Sequence, residues 1–303
     1  MPRYRTPLRY PGGKQKLAPF IAEILELNSG AETIYVEPYA GGAGVAMELL
    51  LSDRVERVYL NDSSIHIYAF WKAILTDPES FCRRISRASL TLDAWRAHRE
   101  IVRHPEQHDL SELAFSTFYL NRCNRSGVLT AGVIGGAAQS GEWRIDARFP
   151  RNELIKRIET IASYKRRISL SNVDAERFIL ETVNALPRNT LVYCDPPYFA
   201  RAARLYLDIY QPPDHVKLAR VIQRRLRRPW LVSYDSHPEI LGLYRQKRSF
   251  RYSLTYSAMK AYSGIELFIF SDELKLPKTS VVPYIASALP TVKRRAYAHA
   301  TVL

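Results

Sequence analysis

Asp195-Pro196-Pro197-Tyr198 directly follows an apolar run, Leu191-Val192-Tyr193-Cys194, that reads as a buried strand. A carboxylate beside a backbone carbonyl can accept hydrogen bonds from both hydrogens of an exocyclic amine. Such an acceptor pair matters most for adenine N6, a poor nucleophile because its lone pair is delocalised into the ring. Holding both hydrogens favours pyramidal geometry and frees the lone pair for an incoming methyl group. The two prolines fix the backbone that aims the Pro196 carbonyl. Tyr198 is expected to stack on the base, which must leave the duplex to be reached. As a bare string the four residues could form a plain turn; their place at a strand end, where open α/β sheets bind ligands, favours chemistry.

A second segment, Glu37-Pro38-Tyr39-Ala40-Gly41-Gly42-Ala43-Gly44, runs from the end of a β-rich stretch into a glycine-rich turn. Glycines there let the backbone approach a ligand closely. Asp62 ends the next predicted strand, where a carboxylate can take both hydroxyls of a ribose. The two together read as a nucleoside-cofactor site. Near the N-terminus, Arg9-Tyr10-Pro11-Gly12-Gly13-Lys14 sets a lysine and an aromatic around a glycine pair. Gln15 follows Lys14, so the phosphate-loop pattern fails, and Lys14 is expected beside a carboxylate.

These segments need a scaffold that brings strand ends together. Apolar spacing predicts a helix over 15–27, a strand over 33–37, a helix over 45–52, a strand over 57–60 and a helix from Ser63 toward Leu75, capped by Asp62 or Ser63. From Asp77 to about Tyr164 the texture changes to arginine- and aromatic-rich helices around 109–121 and 150–163. Between those two lies an exposed hairpin or loop with five glycines from Gly127 to Gly141. Strand and helix signals then resume at 168–172, 175–181, 190–194, 230–234, 250–254 and 266–270. An αβ pattern interrupted once and resumed predicts an α/β, Rossmann-like sheet carrying an inserted, mainly helical domain. The expected division is 1–76 with 165–276 as the catalytic part, 77–164 as the insert, and 277–303 as a basic tail.

The 303 residues carry a net charge of +14, which points to a polyanionic partner through counterion release. Residues 196–260 hold much of the excess, with Arg201, Arg204, Arg224, Arg225, Arg227, Arg228, Arg245, Lys247, Arg248 and Arg251 as candidates for a phosphate-tracking face. Three scattered cysteines, Cys82, Cys123 and Cys194, support neither a disulfide framework nor a metal site. With neither a signal peptide nor a long apolar run visible, a cytoplasmic protein without membrane association is expected.

Taken together, the GGK segment, the glycine loop, the Asp on the second strand, the insert and DPPY resemble, in the same order over about 5–272, the Dam-type D12 class of DNA adenine-N6 methyltransferases. The resemblance implies S-adenosylmethionine-dependent methyl transfer to N6 of a flipped-out adenine in double-stranded DNA. Asp195, Pro196, Pro197 and Tyr198 become the catalytic set, with no metal and no covalent enzyme intermediate. Tyr10, Gly12, Gly13, Lys14, Glu37, Pro38, Tyr39, Gly41, Asp62, Asp174 and Asp195 would line the cofactor pocket. Phe118-Tyr119-Leu120-Asn121-Arg122 resembles the family's YLNR element, making Arg122, Asn124, Arg125 and Ser126 candidate DNA contacts. The text after it, and Tyr39 and Ala43 in the glycine loop, depart from the usual pattern. A cognate restriction or defence partner is compatible with this reading. The alternatives are an RNA adenine methyltransferase on the same fold, which would carry Asn in place of Asp195 and lack the GGK segment, and an idle DNA-binding protein, which would have no need of Asp195 and Tyr198.

Overall fold

A computed structural model describes residues 5–9, 14–28, 32–199, 210–256 and 262–278. Tyr10, Gly12, Gly13, Arg201, Arg204 and the tail from residue 279 lie outside these. The chain builds one seven-stranded sheet in the order β3-β2-β1-β4-β5-β7-β6. Its strands are β1 (Ile34–Glu37), β2 (Arg57–Asn61), β3 (Ile168–Ser171), β4 (Thr190–Cys194), β5 (Trp230–Asp235), β6 (Arg248–Tyr256) and β7 (Tyr262–Phe270). The first five are parallel, and β7 runs antiparallel between β5 and β6. All seven expected strands are present, and the last two are longer than the apolar pattern indicated. Chain order reverses between β1 and β4, which makes a crevice at their C-terminal ends. Both the glycine loop and DPPY emerge into that crevice.

Alternate residues of each strand feed opposite faces. Tyr35, Leu191, Tyr193, Leu231, Phe268 and Phe270 join one core, while Val36, Val192, Cys194, Val232, Leu267 and Ile269 join the other. Double-sided burial is why β4 reads as an unbroken apolar run. The first core is covered by α1 (Ala18–Asn28), α2 (Gly44–Leu51) and α3 (Ile65–Thr76). Against the second lie the short α8 (Ala175–Arg177) with the turns that follow it, α9 (Pro212–Arg224) and α10 (Pro238–Leu243).

Between α3 and β3 the chain forms α4 (Pro78–Arg87), α5 (Leu92–Arg103), α6 (Leu110–Cys123) and α7 (Arg151–Ser163). These helices share the first core: Phe118 of α6 stacks on Phe70 of α3, with Phe81, Phe115 and Phe149 packed around the pair. The stretch from Val128 to Phe149 is turn-rich rather than a paired hairpin. One antiparallel bridge, Asn124 to Val133, ties it down. Gly135 and Gly136 take positive φ there, and glycine-rich backbone favours such turns over a strand ladder.

Among the described residues, the basic run after DPPY does not form one face beside it. Arg224 to Arg228 close α9 and precede β5, while Lys247 precedes and Arg248 opens β6, a strand parallel to β5. Both groups therefore sit at the edge opposite the DPPY crevice. Arg228 donates to the carbonyls of Asn184 and Leu186, and Arg248 to those of Ser271, Asp272 and Leu274. They close chain ends that would otherwise leave carbonyls unpaired. Among the described residues no helix is long and apolar enough to cross a membrane.

The N-terminal segment is laced to α6. The amide of Arg9 donates to Asn121 Oδ1 and its carbonyl accepts from Asn121 Nδ2, both at 2.7 Å. Asn121 also donates to the Gly127 carbonyl at 2.9 Å. Gly127 sits at φ +77°, and a Cβ there would lie 2.5 Å from the Arg9 carbonyl oxygen. Gly127→Ala is expected to destabilise the fold by about 1–3 kcal/mol, since both the left-handed backbone and the contact oppose a side chain. Thermal unfolding checks this, and an unchanged midpoint would show that the segment does not depend on this approach.

Candidate active site

Five strands place a polar residue on the first face toward the crevice: Glu37 on β1, Tyr193 on β4, Ser233 on β5, Glu266 on β7 and Tyr252 on β6. Glu266 is the direct cross-strand partner of Tyr252, which places both side chains on one face. The 3₁₀ turn Lys14–Leu17 brings the Lys14 ammonium into this row.

Lys14 lies against carboxylates. Its Nζ donates to Asp195 Oδ1 at 2.7 Å, to Glu266 Oε2 at 2.8 Å and to Ser233 Oγ at 3.0 Å. Three acceptors use all three ammonium hydrogens. Although burial opposes its charge, Asp195 and Glu266 hold Lys14 protonated well beyond the usual lysine range. Ser233 donates to Asp195 Oδ1 at 2.7 Å and pairs with the Tyr193 hydroxyl at 2.8 Å. With the serine proton committed to Asp195, Tyr193 must be the donor to Ser233. Tyr198 donates to Glu266 Oε1 at 2.5 Å, and Tyr252 donates to Glu266 Oε2. Thus Asp195 Oδ1 receives two hydrogen bonds from the interior, while the half-buried carboxylate still reaches solvent.

Tyr198 departs from the sequence expectation. Its ring, expected as an open stacking platform, is 3% exposed, lies 5.2 Å from the Lys14 ammonium and is anchored through its hydroxyl. A buried carboxylate needs donors, and Tyr198 supplies one to Glu266. The chain beyond DPPY is held by Asp235, which accepts from the Phe199 amide at 2.9 Å. Pro196 is buried and Pro197 half-buried in the connecting turn.

The glycine loop is fixed from three sides. Gly41 donates to Asp62 Oδ2 at 2.8 Å, its carbonyl accepts from Trp71 Nε1 at 2.9 Å, and Ala40 donates to the Asn61 carbonyl at 2.8 Å. Gly41 and Ala43 adopt φ 46° and 44°. Ala43 therefore takes the left-handed backbone despite its Cβ. Asp62 also accepts from the Ser64 amide at 3.0 Å; Ser64, rather than the expected Asp62 or Ser63, is the N-cap of α3 and makes no side-chain capping bond. Pro38 is buried, and Tyr39 pairs its hydroxyl with that of Tyr210 at 2.9 Å. Asp174 accepts from the amides of Glu176 and Arg177, capping α8 next to β3.

Of the four residues expected to touch DNA, two are internal. Arg122 donates from Nε to the Arg148 carbonyl at 2.6 Å and from a terminal nitrogen to the Pro7 carbonyl at 3.3 Å. Burial and neighbouring arginines depress its pKa to about 9. Asn124 is fully buried, accepting from Trp95 and donating to Val128 and Leu129. Both hold the insert together. Arg125 is exposed and Ser126 half-buried at φ 58°. Sequence reasoning missed Asn121, Tyr252 and Glu266; a glutamate alternating with apolar residues in Ile265-Glu266-Leu267-Phe268 was the available signal for the last.

The model of the D12 class N6 adenine-specific DNA methyltransferases matches residues 10–259, and the chain belongs to that family. It is 27% identical over 227 residues to the Retron Ec67 DNA adenine methylase of Escherichia coli, covering 69% of this chain and 71% of that one. Solved structures that align include the rRNA methyltransferase aviRa of Streptomyces viridochromogenes, at 13% identity over 86% of both chains with a TM-score of 0.37. A SAM-dependent methyltransferase from Agrobacterium tumefaciens aligns at 12% identity over 86% of this chain and 62% of that chain, with a TM-score of 0.39. Likeness at that level bears on neither fold nor function.

Burial pushes the Glu37 carboxyl from the ordinary 4.5 up to about 8, against the Ala46 amide that donates to it. The folded protein therefore keeps a proton there that the unfolded chain releases, and stability falls as pH rises through that window. Glu37→Gln carries no such proton. Its stability relative to the wild type should rise between about pH 5 and about pH 8, by on the order of a few kcal/mol. Denaturant titrations across that range test it, and a constant difference would mean that Glu37 ionises normally in the fold.

Proposed function

We propose that this chain is a site-specific DNA methyltransferase that transfers a methyl group from S-adenosylmethionine to N6 of an adenine flipped out of duplex DNA. The observation that carries the reading is the one-sided saturation of Asp195. Lys14 and Ser233 occupy Oδ1 from within. Oδ2 is left to accept one N6 hydrogen, and the Pro196 carbonyl accepts the other. The amine lone pair is then free of the ring. As N6 gains a methyl group it must lose a proton, and Asp195 is the base beside it.

S-adenosylmethionine would supply an electrophilic methyl group on a sulfonium. The residues present fit it: the glycine loop and Asp62 face the switch-point crevice, and Asp195 and Glu266 against Lys14 leave one net negative charge, suited to a cation. Glu37, Pro38, Tyr39, Gly41, Asp62 and Lys14 would line that side, with Asp174 farther along β3. Cys194 takes no part, because it is fully buried on the opposite face.

On this reading residues 77–164 are the target-recognition insert and residues 1–76 with 165–276 the catalytic part. The exposed side chains Arg125, Trp143, Arg144 and Arg148 offer charge and an aromatic surface to the duplex. The protein works in the cytoplasm, where it reaches DNA, and a defence partner is compatible with its likeness to a retron methylase.

Labelled S-adenosylmethionine and unmethylated genomic DNA, followed by nucleoside mass spectrometry, should yield N6-methyldeoxyadenosine. Asp195→Ala should lower that yield by at least about 1000-fold while DNA affinity is largely kept. Label in RNA alone, or turnover retained in the variant, would sink the assignment. Arg125→Ala should weaken DNA binding about equally on all sequences and reduce the slope of log affinity against log salt by roughly 1. An unchanged slope would remove Arg125 from the interface.

A further inference from the structure

Glu266 is almost wholly buried, and the chemistry proposed for Asp195 makes no direct use of it. Folding gives it no obvious reason to be there. A lone Lys14–Asp195 pair would be neutral, whereas a second buried carboxylate adds a net charge to a site where ions are costly to desolvate. Glu266 is nevertheless built in firmly, with Tyr198 on one oxygen and Tyr252 and Lys14 on the other.

We propose that Glu266 is a positioning residue for methyl transfer: it draws the Lys14 ammonium to one side, so that Asp195 presents Oδ2 to the substrate amine. This rests on the reading of Asp195 as the N6 acceptor. The hydrogen count supports it. Lys14 has three hydrogens, and Glu266 takes one that could otherwise reach the second oxygen of Asp195. Ammonium and carboxylate would then close into a two-oxygen pair, and the acceptor would be spent internally. Sharing the cation also leaves more negative charge on Asp195, which strengthens it as an acceptor. Tyr252 and Tyr198 pin the Glu266 carboxylate from either side, so it cannot follow the lysine inward.

Glu266→Gln removes the charge and keeps the shape. The single-turnover rate of methyl transfer is expected to fall about 100-fold, with dissociation constants for DNA and for S-adenosylhomocysteine moving less than about threefold. The decisive comparison is a double-mutant cycle with Lys14→Gln. If Glu266 acts through Lys14, adding Glu266→Gln to Lys14→Gln costs little or nothing further; losses that multiply would overturn the proposal. Should Glu266→Gln fail to fold, Tyr252→Phe replaces it. Its several-fold loss of rate must vanish in the Lys14→Gln background, and persistence there overturns the proposal equally.

A second readout is independent of turnover. In protein carrying ¹⁵N-lysine, the Lys14 ammonium should titrate at lower pH in the Glu266→Gln or Tyr252→Phe variant than in the wild type. An unmoved signal would show that Glu266 does not share the ammonium. If the wild type transfers no methyl group to adenine, the functional reading fails on that result, and the titration still decides whether the sharing exists.

Discussion

One buried ammonium organises the crevice. Lys14 holds together residues contributed by β4, β5 and β7, and every hydroxyl around it has its proton direction fixed as a result. Tyr193 must donate to Ser233, Ser233 to Asp195, and Tyr198 and Tyr252 to Glu266. Interior donors lead, directly or through Ser233, to the two carboxylates, and among the described residues they meet Asp195 at Oδ1 alone. Hydrogen-bond networks of this kind are costly when half satisfied and specifying when complete.

The supports of that lysine reach far along the chain. Arg9, five residues before it, is clamped by Asn121 at the end of α6. On the other side, Gln15 donates to Glu48 of α2, which continues from the glycine loop. The residue after the lysine and the helix after the glycine loop are thus joined by a short polar link. The helices of the insert share the aromatic core around Phe70 and Phe118, so their placement is set by packing as well.

Much of this was legible in the sequence, for identifiable reasons. β4 could be read because burial on both faces leaves an apolar run, and DPPY because its place at a strand end is local information. The same logic put Glu37 and Asp62 at strand ends, and the failed phosphate-loop pattern put Lys14 beside a carboxylate, where it lies. Charge density was a poorer guide: Arg228 and Arg248 proved to close carbonyl-rich chain ends at the far edge of the sheet, which only the strand directions reveal. Arg122 ends a recognisable element and Asn124 follows it, yet both turn inward, since α6 is buried on every side through its last three turns. Glu266 was hidden for the opposite reason. A lone acid in an apolar strand has no partner within reach in sequence, and its meaning depends on a lysine some 250 residues away in the chain.

The loop from Val128 to Phe149 is anchored by Val133, Ile145 and Phe149, which are buried in the first core, by the Asn124–Val133 bridge, and by the carbonyls of Val128, Leu129 and Arg148, which accept from Asn124 and Arg122. Between those anchors residues 135–138 and 140–144 are exposed, and their side chains answer to no demand of the core. Those exposed residues can be exchanged while Asn121 and Gly127 stay as they are. A surface of that kind can be remade by substitution while the interior that Lys14 organises is left intact.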